Sequence, residues 1–255
     1  MIKRILKSNL FKNFSYLTLG EVVSRAIGFF VAIYVARVLG PDNFGKLSFA
    51  QAFTSYFGLI VNLGLDVYGA REVAKDKSKA KELLSNIVLM KFFLFIFAYA
   101  LLFLVLGFLP KDAYTKKVIL LYGLSLFTSV LAIDWFFQGF ENFKIIAIGR
   151  IIRNVVYATF VLLFDCTCGY LTVTIVVIAI LIAMSFQDLY YFYASKLNIV
   201  FLFFVNKSTL KKFFIQSLPF AFFILNVTIF HNTDALLIGL VKVTKKLVIT
   251  MLLGG

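Results

Sequence analysis

Glu21 and Arg25 stand four residues apart in the stretch LGEVVSRAIGFF, with the acid on the N-terminal side. That is the favourable order for an ion pair along one helix face. Ser24, Gly28 and Ala32 continue the same stripe. The stripe lies inside an apolar run from Phe14 to Leu39, long enough to cross a bilayer. Charge at the bilayer centre costs about 2.5–3.5 kcal/mol on translocon scales, so such residues turn toward a bundle interior or a wet cavity. Two readings fit these residues. One is a self-neutralised pair packed against another helix through small residues. The other is a cavity wall in which Arg25 offers its fork to an anion, as a guanidinium bonds two phosphate oxygens at once.

A second polar set occurs late in the chain, where Asn226, His231, Asn232, Thr233 and Asp234 interrupt an apolar run. His231 and Asp234 are three apart and share a helix face. These are the two most polar runs, which points to a shared internal surface. Glu21, Arg25, Ser24, Gly28, Asn226, His231 and Asp234 are therefore the candidate ligand-contacting residues. Asp134 and Asp188 also fall within or at the edge of apolar runs, and Asp66 just past one. Asp134 is expected to cap the segment after it, with Trp135 in the interfacial aromatic belt.

No phosphate-binding glycine loop, metal-ligand pair or nucleophile elbow is present, so no cofactor, metal or catalytic residue is expected. Cys166 and Cys168, one residue apart, suit a tight turn better than a metal site or a disulfide framework.

The elements that position these residues follow from composition. Of 255 residues, 62% are hydrophobic and 15% charged, with 32 Phe and 3 Pro. A soluble chain of this size cannot hide so much apolar surface. The expected fold is all-α, a multi-pass transmembrane bundle of about seven spans. They run near 14–39, 47–65, 92–109, 118–137, 151–164, 171–194 and 213–240. Turn signals separate them: Gly40-Pro41-Asp42-Asn43, Pro110 and Gly169.

The net charge of +14 excludes little by itself, but its placement does. Sorted over the alternating loops, 17 basic residues fall on one side and 8 on the other. That asymmetry puts the N-terminus in the cytoplasm. No soluble basic domain exists to bind nucleic acid. The basic N-terminus lacks a cleavage site, so the first run stays as a membrane helix. YGAREVAKDKSKAKELLSNIV reads as a short basic helix entering the third span. GFENFKIIAIGRIIRN reads as an interfacial amphipathic helix, with Lys144, Arg150 and Arg153 near anionic headgroups.

ARVLGPDNFGKLSFAQAF followed by NLGLDVYGAREVAKD strongly resembles the start of the prokaryotic polysaccharide biosynthesis proteins. These O-antigen-type flippases share a superfamily with the lipid II flippases and the multidrug and toxin extruders. DWFFQGFENFKIIAIGRIIRNVVY is similar to the family's fourth-to-fifth span region, and LPFAFFILNVTIFHNTDALLIG to its seventh span. The resemblance covers Leu10 to Gly239. It implies two six-helix lobes around a cavity that opens alternately to each side. It implies movement of polyprenyl-diphosphate-linked oligosaccharide between leaflets of the cytoplasmic membrane, among membrane lipid, alongside a polysaccharide polymerase and glycosyltransferases. SRAIGFF also resembles the first-helix pattern of lipid II flippases at Ser24, Arg25, Gly28 and Phe29, which implies a cavity role for Arg25. Those relatives carry a second arginine six positions on, where this chain has Val31.

On this basis the expected organisation is an N-terminal six-helix lobe at 1–212, the first helix of an incomplete second lobe at 213–241, and an atypical tail at 242–255. The tail, LVKVTKKLVITMLLGG from Leu240, is unlike the family, so the chain is expected to be a truncated or frameshifted form that does not flip alone. A multidrug/cation antiporter of the same superfamily and a non-functional remnant are the alternatives. A membrane glycan ligase or polymerase would need a large catalytic outer loop, and every outer loop here is short.

Overall fold

The computed structural model describes residues 9–196 and 213–229, with the isolated positions 233 and 237. The described residues are helical apart from turns, as the all-α expectation requires.

The first element, α1, is Asn9–Asn62, broken at Gly40. Gly40 adopts φ 72°, ψ 169°, outside the helical region and in backbone space that favours glycine. Pro41 follows, where its missing N–H is harmless because a helix restarts there. The two arms, α1a and α1b, fold back along each other. Glu21–Gly28 and Gln51–Gly58 face one cavity, while Ala32 and Val35 meet Phe44 and Leu47 in the next. The GPDN turn therefore makes a helical hairpin from two membrane-length arms.

Leu63 and Gly64, both with positive φ, end α1b and let α2, Leu65–Lys75, start in a new direction. Asp76 then accepts from the Ser78 backbone N–H at 3.0 Å and starts a single 3-10 turn, Lys77–Lys79. The expected basic helix is thus divided at Asp76 before α3, Ala80–Phe108. α3 stops before Pro110. Asp112 caps α4, Ala113–Gly123, accepting from the Thr115 N–H at 3.0 Å and the Thr115 hydroxyl at 2.6 Å.

The fourth span is not one helix. α4 is followed by α5, Ser125–Leu131, and, after Ala132 and Ile133, by α6, Asp134–Gly139. α7 is Phe143–Cys168, closed by left-handed Gly169, and α8 is Val173–Ser195. Cys166 is exposed and unbridged near the end of α7. α9, Phe213–Ile229, is the described part of the seventh run. Phe213 lies against the Tyr68 ring, and Tyr68 donates to Gln216 Oε1 at 2.8 Å, which docks α9 on α2.

Among the described residues, five helical stretches are long and apolar enough to cross a membrane, and the 45-residue one carries the break at Gly40. Phe29, Phe30, Phe93, Phe97, Phe103 and Phe108 all point outward. In lipid such outward rings are solvated rather than stranded. The interior is packed with Val35, Leu65, Ile87, Leu102, Ile119, Ile133 and Ile146.

Two expectations about this region are corrected. Trp135 is 1% exposed, with its indole wedged against Gly69 of α2, and is not in an interfacial belt. A Cβ on Gly69 would lie 2.5 Å from the Trp135 ring, so only glycine lets the indole this close. GFENFKIIAIGRIIRN is not an interfacial helix either: from Phe143 onward it is the first part of the membrane-length helix α7. The long apolar continuation after Arg153 carries the helix through, and its basic residues find partners inside the bundle.

Candidate functional site

The first helix supplies the site's most crowded contact. Glu21 accepts from Arg25 Nε at 2.7 Å through Oε1, as the four-residue spacing predicts. Its other oxygen accepts from Arg150 Nη1 of α7. One carboxylate therefore serves two guanidiniums. Arg25 still leaves 80% of its side chain exposed. One turn further, Asn154 Nδ2 donates to the Ser24 hydroxyl at 2.6 Å and to its carbonyl at 2.7 Å. Gly28 faces the same Asn154 amide. Near the other end Tyr34 donates to Asp165. α1a and α7 are thus joined along their length by a polar seam.

The stripe does more than pack. Glu21, Ser24, Arg25 and Gly28 also line a cavity of about 680 Å³. α1b adds Gln51, Thr54, Ser55 and Gly58; the broken fourth span adds Tyr122, Ser125, Thr128, Ser129 and Asp134. Arg150, Arg153 and Asn154 come from α7, and Met184, Gln187 and Asp188 from α8. The two readings of the opening stretch are both realised, since one stripe forms the helix contact and the cavity wall.

Breaks in the fourth span explain why its polar groups face inward. Thr128 and Ser129 return their hydroxyls to carbonyls three residues back, at 2.8 Å and 2.7 Å. Such bonds bend helices. Asp134 begins α6, but its side chain makes no capping bond; it lines the cavity instead. Asp188 is only 5% exposed, and its Oδ2 has no hydrogen-bond partner among the described residues. Thr54 Oγ1 is likewise buried and unpartnered. The lining holds three arginines and three acids.

Lys91 stands behind this wall. It is 1% exposed and bonds Asp66, whose carboxylate also accepts from Asn62 Nδ2 at 2.5 Å. Lys91 also reaches the Ser129 carbonyl at 3.3 Å, which ties α3 to the bent α5. Tyr191 of α8 donates to the Ile146 carbonyl at 3.2 Å, and Gln187 donates to Tyr191 at 3.0 Å. These bonds hold α8 against α7.

A smaller pocket of about 320 Å³ shares Gln51, Tyr122, Arg153, Asn154 and Met184 with the cavity. It continues to Ala32, Phe44, Leu47 and Tyr157.

Among the residues expected to contact ligand, Glu21, Ser24, Arg25 and Gly28 are brought together. Asn226 is not: it is exposed on α9, donates to the Phe222 carbonyl at 2.8 Å, and is absent from the lining. His231 and Asp234 lie outside the described residues. Sequence reasoning missed Arg150 and Arg153, which it placed near headgroups at the membrane interface, and Lys91, which stands one residue before the third expected span. The signal was available: Arg150, Arg153, Asn154 and Tyr157 repeat at helical spacing, which marks one polar face on a span.

The chain is similar to known proteins along most of its length. The family described as polysaccharide biosynthesis protein matches residues 10–250, running past Gly239 into the tail. A candidate O-antigen transporter of Escherichia coli strain K12 is 26% identical over 58% of this chain and 36% of its own length. A Shigella dysenteriae counterpart is 29% identical over 59% of this chain and 39% of its own. The capsular polysaccharide biosynthesis protein CapF of Staphylococcus aureus is 24% identical over 83% and 52%, respectively. The chain thus spans about half, or less, of the length of these relatives. Among solved structures, a MOP superfamily transporter from Pyrococcus furiosus superposes with a TM-score of 0.62 at 14% identity, covering 86% of this chain and 54% of that one. A bundle of membrane-length helices, a polar cavity lined by arginines and a family match over nearly the whole sequence lead to one assignment: the chain belongs to the polysaccharide biosynthesis protein family.

Proposed function

We propose that this chain forms the N-terminal part of a flippase that carries polyprenyl-diphosphate-linked oligosaccharide across the cytoplasmic membrane for cell-surface polysaccharide synthesis. The observation that carries the reading is the cavity itself. It is lined by hydroxyls, amides and the guanidiniums of Arg25, Arg150 and Arg153, inside a bundle whose outer faces are phenylalanine-rich. A glycan and a diphosphate need such a polar interior, while the polyprenyl tail stays in lipid. The basic excess on one set of loops, which remains with Lys91, Arg150 and Arg153 moved into spans, supports a cytoplasmic N-terminus. Rocking of this lobe against a partner lobe would expose the cavity to each side in turn. The protein acts as a carrier and breaks no bond. Glycosyltransferases supply its cargo and a polysaccharide polymerase consumes it.

The reading is tested by ligand competition. The chain in nanodiscs is offered an undecaprenyl-diphosphate glycan, a zwitterionic phospholipid and a lipophilic organic cation, and retained ligand is read by native mass spectrometry. Selective retention of the diphosphate lipid is expected. Preferential retention of the cation would overturn the reading in favour of a cation antiporter.

A further inference from the structure

The three cavity arginines are not equivalent. Arg25 and Arg150 both place a guanidinium on Glu21. Arg153 makes no ion pair or hydrogen bond with any described residue. It projects from the same face of α7, one turn beyond Arg150, into the wall shared by the large cavity and the smaller pocket. An anion entering the cavity displaces no directly bonded partner from Arg153, which feels the Asp188 carboxylate only at longer range, whereas at Arg25 it competes with a carboxylate 2.7 Å away. A guanidinium already bonded to a carboxylate has one donor fewer to offer a second anion.

Beyond Arg153 the smaller pocket has a distinct chemistry. Tyr122 and Tyr157 present rings, and their hydroxyls have no hydrogen-bond partner among the described residues. The Gln51 amide is also without one, and the Asn154 carbonyl oxygen accepts none, although its NH₂ is held by Ser24. Aromatic faces beside free amides and hydroxyls suit a pyranose ring, which offers one C–H face and a rim of hydroxyls. The volume of about 320 Å³ falls at the lower end of small-molecule sites, about 300–1,000 Å³.

We propose that Arg153, at the junction of the two cavities, is the direct contact for the diphosphate, and that the Tyr122–Tyr157 pocket takes the first sugar joined to it. Glu21 holds Arg25 and Arg150 as a fixed cationic background rather than as ligand contacts. This deepens the flippase reading and rests on it. The ligand class is a diphosphate ester with a hexose on one phosphate, which fits the order of the two chambers.

The test uses the chain in nanodiscs and two soluble probes, inorganic pyrophosphate and a short-chain prenyl diphosphate bearing one hexose, with affinity read by titration calorimetry. Arg153→Gln is expected to weaken both probes at least tenfold, with Arg153→Lys regaining part of the loss for pyrophosphate. Arg25→Gln is expected to weaken them less than threefold. Tyr157→Ala is expected to weaken the hexose-bearing probe several-fold more than pyrophosphate. Unchanged Trp135 emission in each variant checks that the bundle still folds. A larger loss in Arg25→Gln than in Arg153→Gln overturns the assignment of Arg153 while leaving the flippase reading standing. Equal loss of both probes in Tyr157→Ala overturns the sugar pocket. Failure of the wild-type chain to bind either probe saturably overturns the anion cavity itself, and with it both readings.

Discussion

Lys91→Met removes the charge of a side chain that is 1% exposed while keeping most of its length and apolar stem. What remains is the Asp66 carboxylate, whose ion-pair partner has gone. Breaking a buried pair by removing one member costs about 3–5 kcal/mol, because the surviving charge stays desolvated. Asp66 is 24% exposed and keeps its bond from Asn62, so the lower end, about 3 kcal/mol, applies. That is a shift of roughly a hundredfold in the folding equilibrium. The Ser129 carbonyl also loses its donor, which loosens the bend between α5 and α6. Adding Asp66→Asn to Lys91→Met removes the stranded charge and is expected to restore about 1–3 kcal/mol, the coupling typical of residues in contact. Trp135 is the single tryptophan and sits buried on Gly69, four residues after Leu65 begins α2, so its emission reports the opening of this corner. Denaturant titration of Lys91→Met, Asp66→Asn and the double variant in mixed micelles, followed at Trp135, measures each step. Additive losses in the double variant, or a loss below about 1 kcal/mol in Lys91→Met, would refute the view that this pair holds the corner.

Two further outcomes follow from local geometry. Gly69→Ala places a methyl carbon 2.5 Å from the Trp135 ring and 2.8 Å from Ile87 Cδ1; overpacking of about 1–3 kcal/mol is expected, with a changed Trp135 emission maximum in the same titration. At the loop before α4, the Thr115 hydroxyl and N–H hold the Asp112 carboxyl below the usual carboxylate range. A lowered folded-state pKa contributes stability that is fully present above the unfolded value, near 3.9, and is lost as pH falls through the folded value. Asp112→Ala should therefore cost about 0.5–2 kcal/mol at neutral pH, and the gap from wild type should close in acid; a gap that persists below both values, in paired melts across pH, would refute the cap.

The limits of the sequence are visible in single residues. Spans were legible because lipid demands about 20 apolar residues in a row, and that demand is written in composition alone. The GPDN turn was legible because left-handed backbone favours glycine, and Gly40 stands where the chain reverses. Arg150 was misplaced because the apolar run that sequence reasoning trusted begins only at Ile151, whereas α7 begins at Phe143. A partner on α1a, 129 residues away, is what admits its charge to the bundle. Trp135 was misplaced for the converse reason, since a glycine on another helix makes room for its indole.

Sequence by itself determined that the chain is a multi-pass helical membrane protein, which family it resembles, and that Glu21, Ser24, Arg25 and Gly28 share one face. Those properties depend on composition and on the helical period, both local in the chain. Only the tertiary structure decided which cavity arginine has no bonded partner among the described residues, that Lys91 is interior, and that Asp188 and Thr54 carry buried polar atoms at the cavity with no hydrogen-bond partner among those residues. Those properties depend on which helix lies opposite, and helices packed in lipid choose their neighbours through contacts between residues far apart in sequence.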